Sequence, residues 1–296
     1  MGDSSSKPPP LVRQKKEDLR IVHFAILTLS NACSIIGSTK QKSLFDIKYN
    51  QRLTRKWGVD MLYLSRDDLE KIAERVVCQY KKIYVPERHM CYMVDATELA
   101  EMLGFKIEYV NITRDGSILG QTSSGRVWTT IYDDNMNQLF YELDGSTILV
   151  DKRLLGKPKI AGRKNFTIAH EVAHQIINRE YPEMYDTQNR TFCDYRRSVK
   201  PRKVEKDWHE WQADALAAAL LLPPDALLDS MFMFGLGDKM KLLSKKYSDT
   251  RYKFFCEMAD FLQVSRTALS YRMEQLGLLD NNRLIIEAEA RRKGVA

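Results

Sequence analysis

The chain has 296 residues, a net charge of +7 and 44% hydrophobic residues, enough apolar material for the core of one or two domains. The charge excess falls within residues 1–66, which hold twelve basic and five acidic residues, so the remainder is neutral overall. This distribution argues against a protein that coats nucleic acid along its whole length. Five widely spaced cysteines without a Cys-x-x-Cys pair give no support to a cysteine-based zinc site and favour a cytoplasmic protein over a disulfide scaffold.

The N-terminal part of the chain is the least informative. Residues 1–18 are rich in Ser, Pro and charge, which predicts a disordered tail. Residues 19–66 form a segment of unknown role. Its first half, 19–36, is the most apolar run of the chain and is either a buried strand or helix or a membrane or export segment. The run carries His23, Ser30 and Asn31 and barely reaches the length of a bilayer span, so we favour the buried element and expect no stable membrane association. Residues 37–66 are basic and predict a solvated linker.

Residues 67–224 have the pattern of one α+β domain. Ser65 followed by Asp68 is a capping-box signal for a helix that ends before Pro86. Asp95 begins a second amphipathic helix, and Gly104 marks its end.

Four strands are predicted after these helices. Alternating β-branched residues indicate a strand over 106–111, and glycines separate further strands near 127–132, 139–143 and 147–150. We expect the strands to form a meander, which makes a small mixed or antiparallel sheet packed on the helices.

Residues 166–177 contain the motif His170-Glu171-x-x-His174 within an otherwise apolar helix. Positions i and i+4 lie one turn apart on the same face, so both imidazoles can bind one Zn²⁺. Glu171 is placed to reach a water on that ion instead of the ion itself. The alternative is a helix whose two histidines only pack or hydrogen-bond, but it leaves two imidazoles and a carboxylate buried without compensation.

A second helix over 207–224 carries two more carboxylates, Glu210 and Asp214, one turn apart. Small residues along this helix allow another helix to approach closely. We predict Glu210 as the third metal ligand and Asp214 as the carboxylate that accepts the free ring N–H of a ligating histidine. Two His and one Glu leave a fourth position for water, as a catalytic zinc site requires. A solvated charged face is the alternative for Glu210 and Asp214.

Together the two helices resemble the ImmA/IrrE family of zinc metallopeptidases, which are zincin-like enzymes with the HExxH motif. The resemblance rests on NFTIAHEVAH at 165–174 and EWQADALAAALLLP at 210–223, with a further similarity in YMVDATELAEMLGF at 92–105. It covers about residues 69–224 and extends more loosely to 279. The connection from the first motif to the second is long and basic compared with the family, so we expect a modified substrate cleft.

The resemblance implies a zincin-like peptidase domain and a zinc-dependent endopeptidase. His170, His174 and Glu210 would bind the zinc ion, and Glu171 would be the general base that later donates a proton to the leaving amine. The substrate would be a regulatory protein, in particular a helix-turn-helix repressor of the kind found in mobile-element and stress-response systems.

The sequence leaves two features of the substrate cleft undecided. Tyr181, Tyr185 and His209 are the candidates for stabilising the oxyanion. The strand near 147–150 is a candidate for aligning a peptide substrate by edge pairing.

Residues 225–296 predict a helical module, in which the helix–turn–helix pattern over 250–279 resembles a DNA-binding motif. Arg266, Ser270 and Arg272 are the side chains that would face DNA. Because the region is nearly neutral, we favour packing on the peptidase domain over DNA binding.

Two further functions are kept as alternatives. One is a DNA-binding transcriptional regulator with a vestigial peptidase fold. The other is a toxin–antitoxin component in which the fold serves a protein interface.

Overall fold

The computed structural model describes residues 53–56, 59–62, 64–86, 92–156, 160–182, 192–196, 208–241, 243 and 249–280. All of them belong to one unit, Gln51–Ala296. The predicted tail, the apolar run 19–36, most of the basic segment 37–66 and Tyr185 lie outside the described residues. Within 37–66, Leu53–Lys56 and Val59–Leu62 are strands that pair antiparallel, so the predicted linker is wrong there. The predicted division into a peptidase domain and a helical module at residue 224 stays a prediction.

The strands of the described residues are β1 (Leu53–Lys56), β2 (Val59–Leu62), β3 (Lys106–Val110), β4 (Ile118–Ser123), β5 (Arg126–Tyr132), β6 (Gln138–Asp144), β7 (Thr147–Asp151) and β8 (Phe192–Arg196). The helices are α1 (Arg66–Tyr84), α2 (Ala96–Met102), α3 (Ala161–Glu180), α4 (Trp208–Leu221), α5 (Pro224–Met233), α6 (Asp249–Phe261) and α7 (Arg266–Gln275). No single helix in the described part of the chain is both long and apolar enough to cross a membrane, although α4 and α5 together, bent by 51°, meet the length and composition required.

Helices α1 and α2 begin where their capping residues predict. The side chain of Ser65 accepts the backbone N–H of Asp68 at 3.2 Å, and the Asp68 carboxylate accepts the backbone N–H of Ser65 at 3.0 Å. Asp95 accepts the N–H of Thr97 at 2.7 Å and so begins α2. These reciprocal bonds satisfy donors that the first turn of a helix leaves unpaired. The predicted helix starts are confirmed.

The main sheet is mixed, with the strand order β3-β7-β4-β8. Strand β7 runs parallel to β3 and antiparallel to β4, while β4 runs antiparallel to β8. Strands β5 and β6 form a separate two-stranded antiparallel hairpin. The α+β class with a small mixed sheet is confirmed.

The predicted meander is wrong, because β7 does not pair with β6. The Asp144 carboxylate accepts the backbone N–H groups of Ser146 and Thr147, both at 2.8 Å, and turns the chain out of the hairpin. Every residue of β7 is buried, as expected for a central strand. Both edges of β7 are occupied, so the prediction that this strand aligns a peptide by edge pairing is also wrong.

Helix α3 lies at the centre of the described fold, between the sheet and helices α2 and α4. Its residues 167–177 are all buried. The Asn165 side chain accepts the backbone N–H of Ala96 at 2.9 Å, and the Gln175 side chain donates to the carbonyl of Ser123 at 2.9 Å. These bonds satisfy polar groups in the core and fix α3 against α2 and β4.

Helices α6 and α7 form the predicted helix pair and pack on the centre of the fold. A methyl group in place of the Gly162 hydrogen would lie 2.6 Å from the backbone carbon of Val264, so the turn between α6 and α7 sits directly on the start of α3. Only glycine permits this approach.

Arg272 of α7 is 1% exposed and connects three helices. Its guanidinium donates to the Leu222 carbonyl at 3.0 Å, just after α4, and forms a two-point ion pair with Glu70 of α1. The prediction that Arg272 can face DNA is wrong, because this side chain is enclosed between the helices.

We expect Glu70→Gln to lower the free energy of unfolding by about 2 kcal/mol, because it leaves the enclosed guanidinium of Arg272 without its counter-charge. Glu70 keeps partial contact with water, which places the loss below that of a fully buried pair. Urea unfolding followed by circular dichroism measures the free energy of unfolding. Glu74→Gln, at an exposed position of the same helix, is the control. Equal stability of the two variants would contradict the bracing role of this ion pair.

Candidate metal centre

His170 and His174 lie on the same face of α3, as their spacing predicts. Their Nε2 atoms are 3.0 Å apart, and the rings meet edge to face with centroids 4.7 Å apart. The two residues are 0% and 1% exposed. Two buried imidazole nitrogens therefore converge on one point.

Glu210 reaches this pair from α4. Its Oε2 lies 3.2 Å from Nε2 of His170, and its Oε1 lies 3.3 Å from Nε2 of His174. Ala213 and Ala217 of α4 are completely buried, and their small side chains let α4 pack closely along α3. The structure thus brings together the three side chains that the sequence predicted as ligands.

Asp214 lies one turn after Glu210 and contacts the other nitrogen of His170. Its Oδ1 is 2.9 Å from Nδ1 of His170. When Nδ1 carries the hydrogen and donates it to Asp214, the lone pair of Nε2 points toward His174 and Glu210. The position of Asp214 matches the orienting role predicted for it.

The charges of the cluster favour a bound cation. Burial alone lowers the pKa of His170, but hydrogen bonds to Asp214 and Glu210 outweigh it and raise the pKa to about 10. Burial lowers the pKa of His174. Burial would raise the pKa of Glu210, but hydrogen bonds to the two histidines hold it well below its usual range. The surroundings therefore stabilise positive charge on His170 and disfavour it on His174.

The donor set fits a zinc ion. One ligand atom each from His170, His174 and Glu210 lies within 4.8 Å of the others. In a tetrahedral site with bonds of about 2.0–2.2 Å, ligand atoms are about 3.3 Å apart, close to the separations found here. Two imidazoles and one carboxylate can hold a metal ion and leave a coordination position open.

Glu171 is fully buried beside the cluster. Its Oε1 accepts the backbone N–H of Tyr195 at 3.2 Å. Strand β4 passes directly beneath it, since a methyl group at Gly120 would lie 2.7 Å from Oε1 of Glu171 and 2.7 Å from Cγ2 of Thr167. The glycine gives this carboxylate the room that it occupies.

Tyr195 of β8 is the site residue that sequence reasoning missed. Its ring lies 4.6 Å from the His170 ring and 5.8 Å from the Phe166 ring, measured between centroids. Burial, with a contribution from the Asp214 carboxylate, raises the pKa of Tyr195 to about 12. Tyr195 lies in a connection whose sequence has no clear periodicity. The unusual length of that connection is the one signal that could have indicated an additional element there.

The other candidates for the oxyanion are placed differently. Tyr181 is buried directly after the end of α3. His209 precedes Glu210 on α4 and contributes to the lowered pKa of His174. Their role at the oxyanion stays a prediction.

The comparison with known families agrees with the motifs. Residues 154–274 match a peptidase family described as the IrrE N-terminal-like domain. The match includes α3 and α4 and hence all five predicted site residues, and it continues into α7. No curated protein matches the chain. The resemblance stated from the two helix motifs is confirmed.

We expect Asp214→Asn to weaken zinc binding about 10- to 100-fold, because the amide no longer accepts the His170 ring N–H as a charged partner. Competition titration against a chromophoric chelator measures the dissociation constant. Glu101→Gln, at an exposed position of α2, serves as the control and should bind zinc like the unmodified chain. An unchanged affinity in Asp214→Asn would exclude the orienting role.

Proposed function

The chain carries a domain of the IrrE N-terminal-like peptidase family, and we propose that it is a zinc-dependent endopeptidase that cuts a regulatory protein. His170, His174 and Glu210 hold the zinc ion, and Asp214 orients His170. The observation that carries the proposal is the convergence of three ligand atoms from two helices within 4.8 Å of one another, next to a buried Glu171.

The choice of zinc follows from the donor types. Two imidazoles and a carboxylate with one position left open form a donor set typical of catalytic zinc. When bound, the ion supplies Lewis-acid chemistry, which acidifies water and stabilises negative charge on a carbonyl oxygen.

Glu171 is the proton carrier of the proposed reaction. Glu171 follows the proposed ligand His170 directly in sequence, and its carboxylate is buried on the helix that carries both histidines. Glu171 accepts a proton from the attacking water and then donates it to the nitrogen of the leaving amine. Its burial holds the carboxylate in place for both transfers.

The substrate class is carried over from the family resemblance. We propose a helix-turn-helix repressor as the protein that is cut, and the cytoplasm as the compartment. The five cysteines without a disulfide pattern are consistent with that compartment.

We expect Glu171→Gln to keep its zinc and to lose about 10²- to 10⁴-fold in cleavage rate, because the amide cannot carry the proton. Co-expression with a helix-turn-helix repressor, followed by immunoblotting and metal analysis of the purified protein, measures both properties. Glu101→Gln is the matched control and should cleave at the unmodified rate. Cleavage by Glu171→Gln at the control's rate would refute the assigned base.

A further inference from the structure

We propose that β8 is an autoinhibitory strand, which occupies the place of the substrate and must move away before a peptide can be cut. This inference rests on the peptidase function proposed above. It follows from four properties of β8: a hydrogen bond to the proposed base, a ring beside a proposed ligand, a pairing with the strand beneath the site, and a position at the edge of the sheet.

The bond to the base places a peptide nitrogen where the leaving amine of a substrate must lie. Glu171 has to be within hydrogen-bond distance of the scissile nitrogen to deliver a proton to it. The backbone nitrogen of Tyr195 lies 3.2 Å from Oε1 of Glu171 and donates to it. The peptide bond between Asp194 and Tyr195 therefore takes the position of a substrate bond relative to this carboxylate.

The side chain of Tyr195 closes the site from the same direction. Its ring lies 4.6 Å from the ring of His170. His170, Glu171 and His174 are at most 1% exposed, whereas the side chains of Glu210 and Asp214 are 38% and 54% exposed. Water reaches the carboxylate side of the cluster, whereas Glu171, which bonds to the backbone of Tyr195, is fully buried.

The pairing of β8 fills the sheet edge that a peptide would otherwise use. Strand β8 runs antiparallel to β4, with Tyr195 opposite Gly120, the residue beneath Glu171. The register shifts between Ile118 and Gly120, an irregularity of the kind that redirects backbone groups near functional sites. An extended peptide bound by strand addition would form the same ladder with β4.

The position of β8 at the edge of the sheet allows its displacement. The strand has five residues and lies at the outer position of the sheet formed by the described strands. It belongs to the connection between α3 and α4, which is longer than the resemblance leads one to expect. Short edge strands open at a smaller free-energy cost than central strands such as β7.

A fixed β8 would lead to a different behaviour. If β8 stayed in place, a peptide would have to pair with its outer edge, and cross-linking β8 to β4 would not affect binding. A cross-link between these strands therefore separates the two arrangements.

Thr122→Cys creates this cross-link with one substitution, because Thr122 pairs directly with Cys193 of β8. Opposite residues of antiparallel strands have Cα atoms about 4.5–5.5 Å apart, which suits a disulfide. Thr122→Ser is the matched control, since it keeps the hydroxyl and lacks the thiol. Mass spectrometry after oxidation verifies the bond between positions 122 and 193.

The probe is a peptide hydroxamate, a general zinc ligand with an extended chain, titrated into the zinc-loaded full-length protein by calorimetry. We expect oxidised Thr122→Cys to bind it at least about tenfold more weakly than the reduced form, because the open population is removed. Reduction should restore the affinity, and Thr122→Ser should not respond to oxidant. Equal affinity of the oxidised and reduced forms would overturn the proposal, as would a failure of the reduced protein to bind the probe.

A second variant keeps the test decisive if Thr122→Cys does not fold. Tyr195→Gly removes the ring over His170 and should bind the hydroxamate about tenfold more tightly than the unmodified chain, because the open population rises. Trp128→Gly, an exposed aromatic residue in β5, is the control with unchanged affinity. An unchanged affinity in Tyr195→Gly would overturn the proposal.

Cleavage of the purified helix-turn-helix repressor proposed as substrate, by the same samples, separates this inference from the proposed function. Hydroxamate binding that responds to the cross-link, without cleavage in any sample, would leave β8 as an inhibitory strand and refute the peptidase. Cleavage at equal rates in both redox forms would support the peptidase and refute the strand's role.

Discussion

The structure depends on a problem of charge and burial at the contact between α3 and α4. Two imidazoles one turn apart in the core need a partner, since buried polar groups without one cost free energy. Glu210 meets both rings within 3.3 Å, and Asp214 meets the far side of His170. These carboxylates come from a different helix than the histidines. The site therefore forms only when α4 packs on α3.

The rest of the described fold holds that contact in place. Hydrogen bonds of Gln175 and Asn165 connect α3 to β4 and to α2. Gly162 allows the turn between α6 and α7 to pack against the first residues of α3. Arg272 links the end of α4 to α1. The C-terminal helix pair, which has the outline of a DNA-binding motif, here packs on the elements that carry the candidate site.

The sequence predicted the helices well because their signals are local. The capping residues Ser65 and Asp95 and the apolar spacing around His170 depend on residues within a few positions. The main misses were strands β4 and β8 and the pairing of β7, which depend on distant partners. Strand β4 is rich in polar residues that are buried because α3 bonds to them, so it lacks the alternation of an ordinary strand. The five predicted site residues lie together, whereas Tyr195 enters through β8, whose position no local pattern indicates.

X-ray absorption at the zinc edge of the loaded protein reports which atoms bind the ion. Binding by His170, His174 and Glu210 should give nitrogen and oxygen scatterers at about 2.0–2.1 Å with the multiple scattering of two imidazole rings. Sulfur scattering at about 2.3 Å, or a first shell without imidazole, would contradict the centre formed by His170, His174 and Glu210.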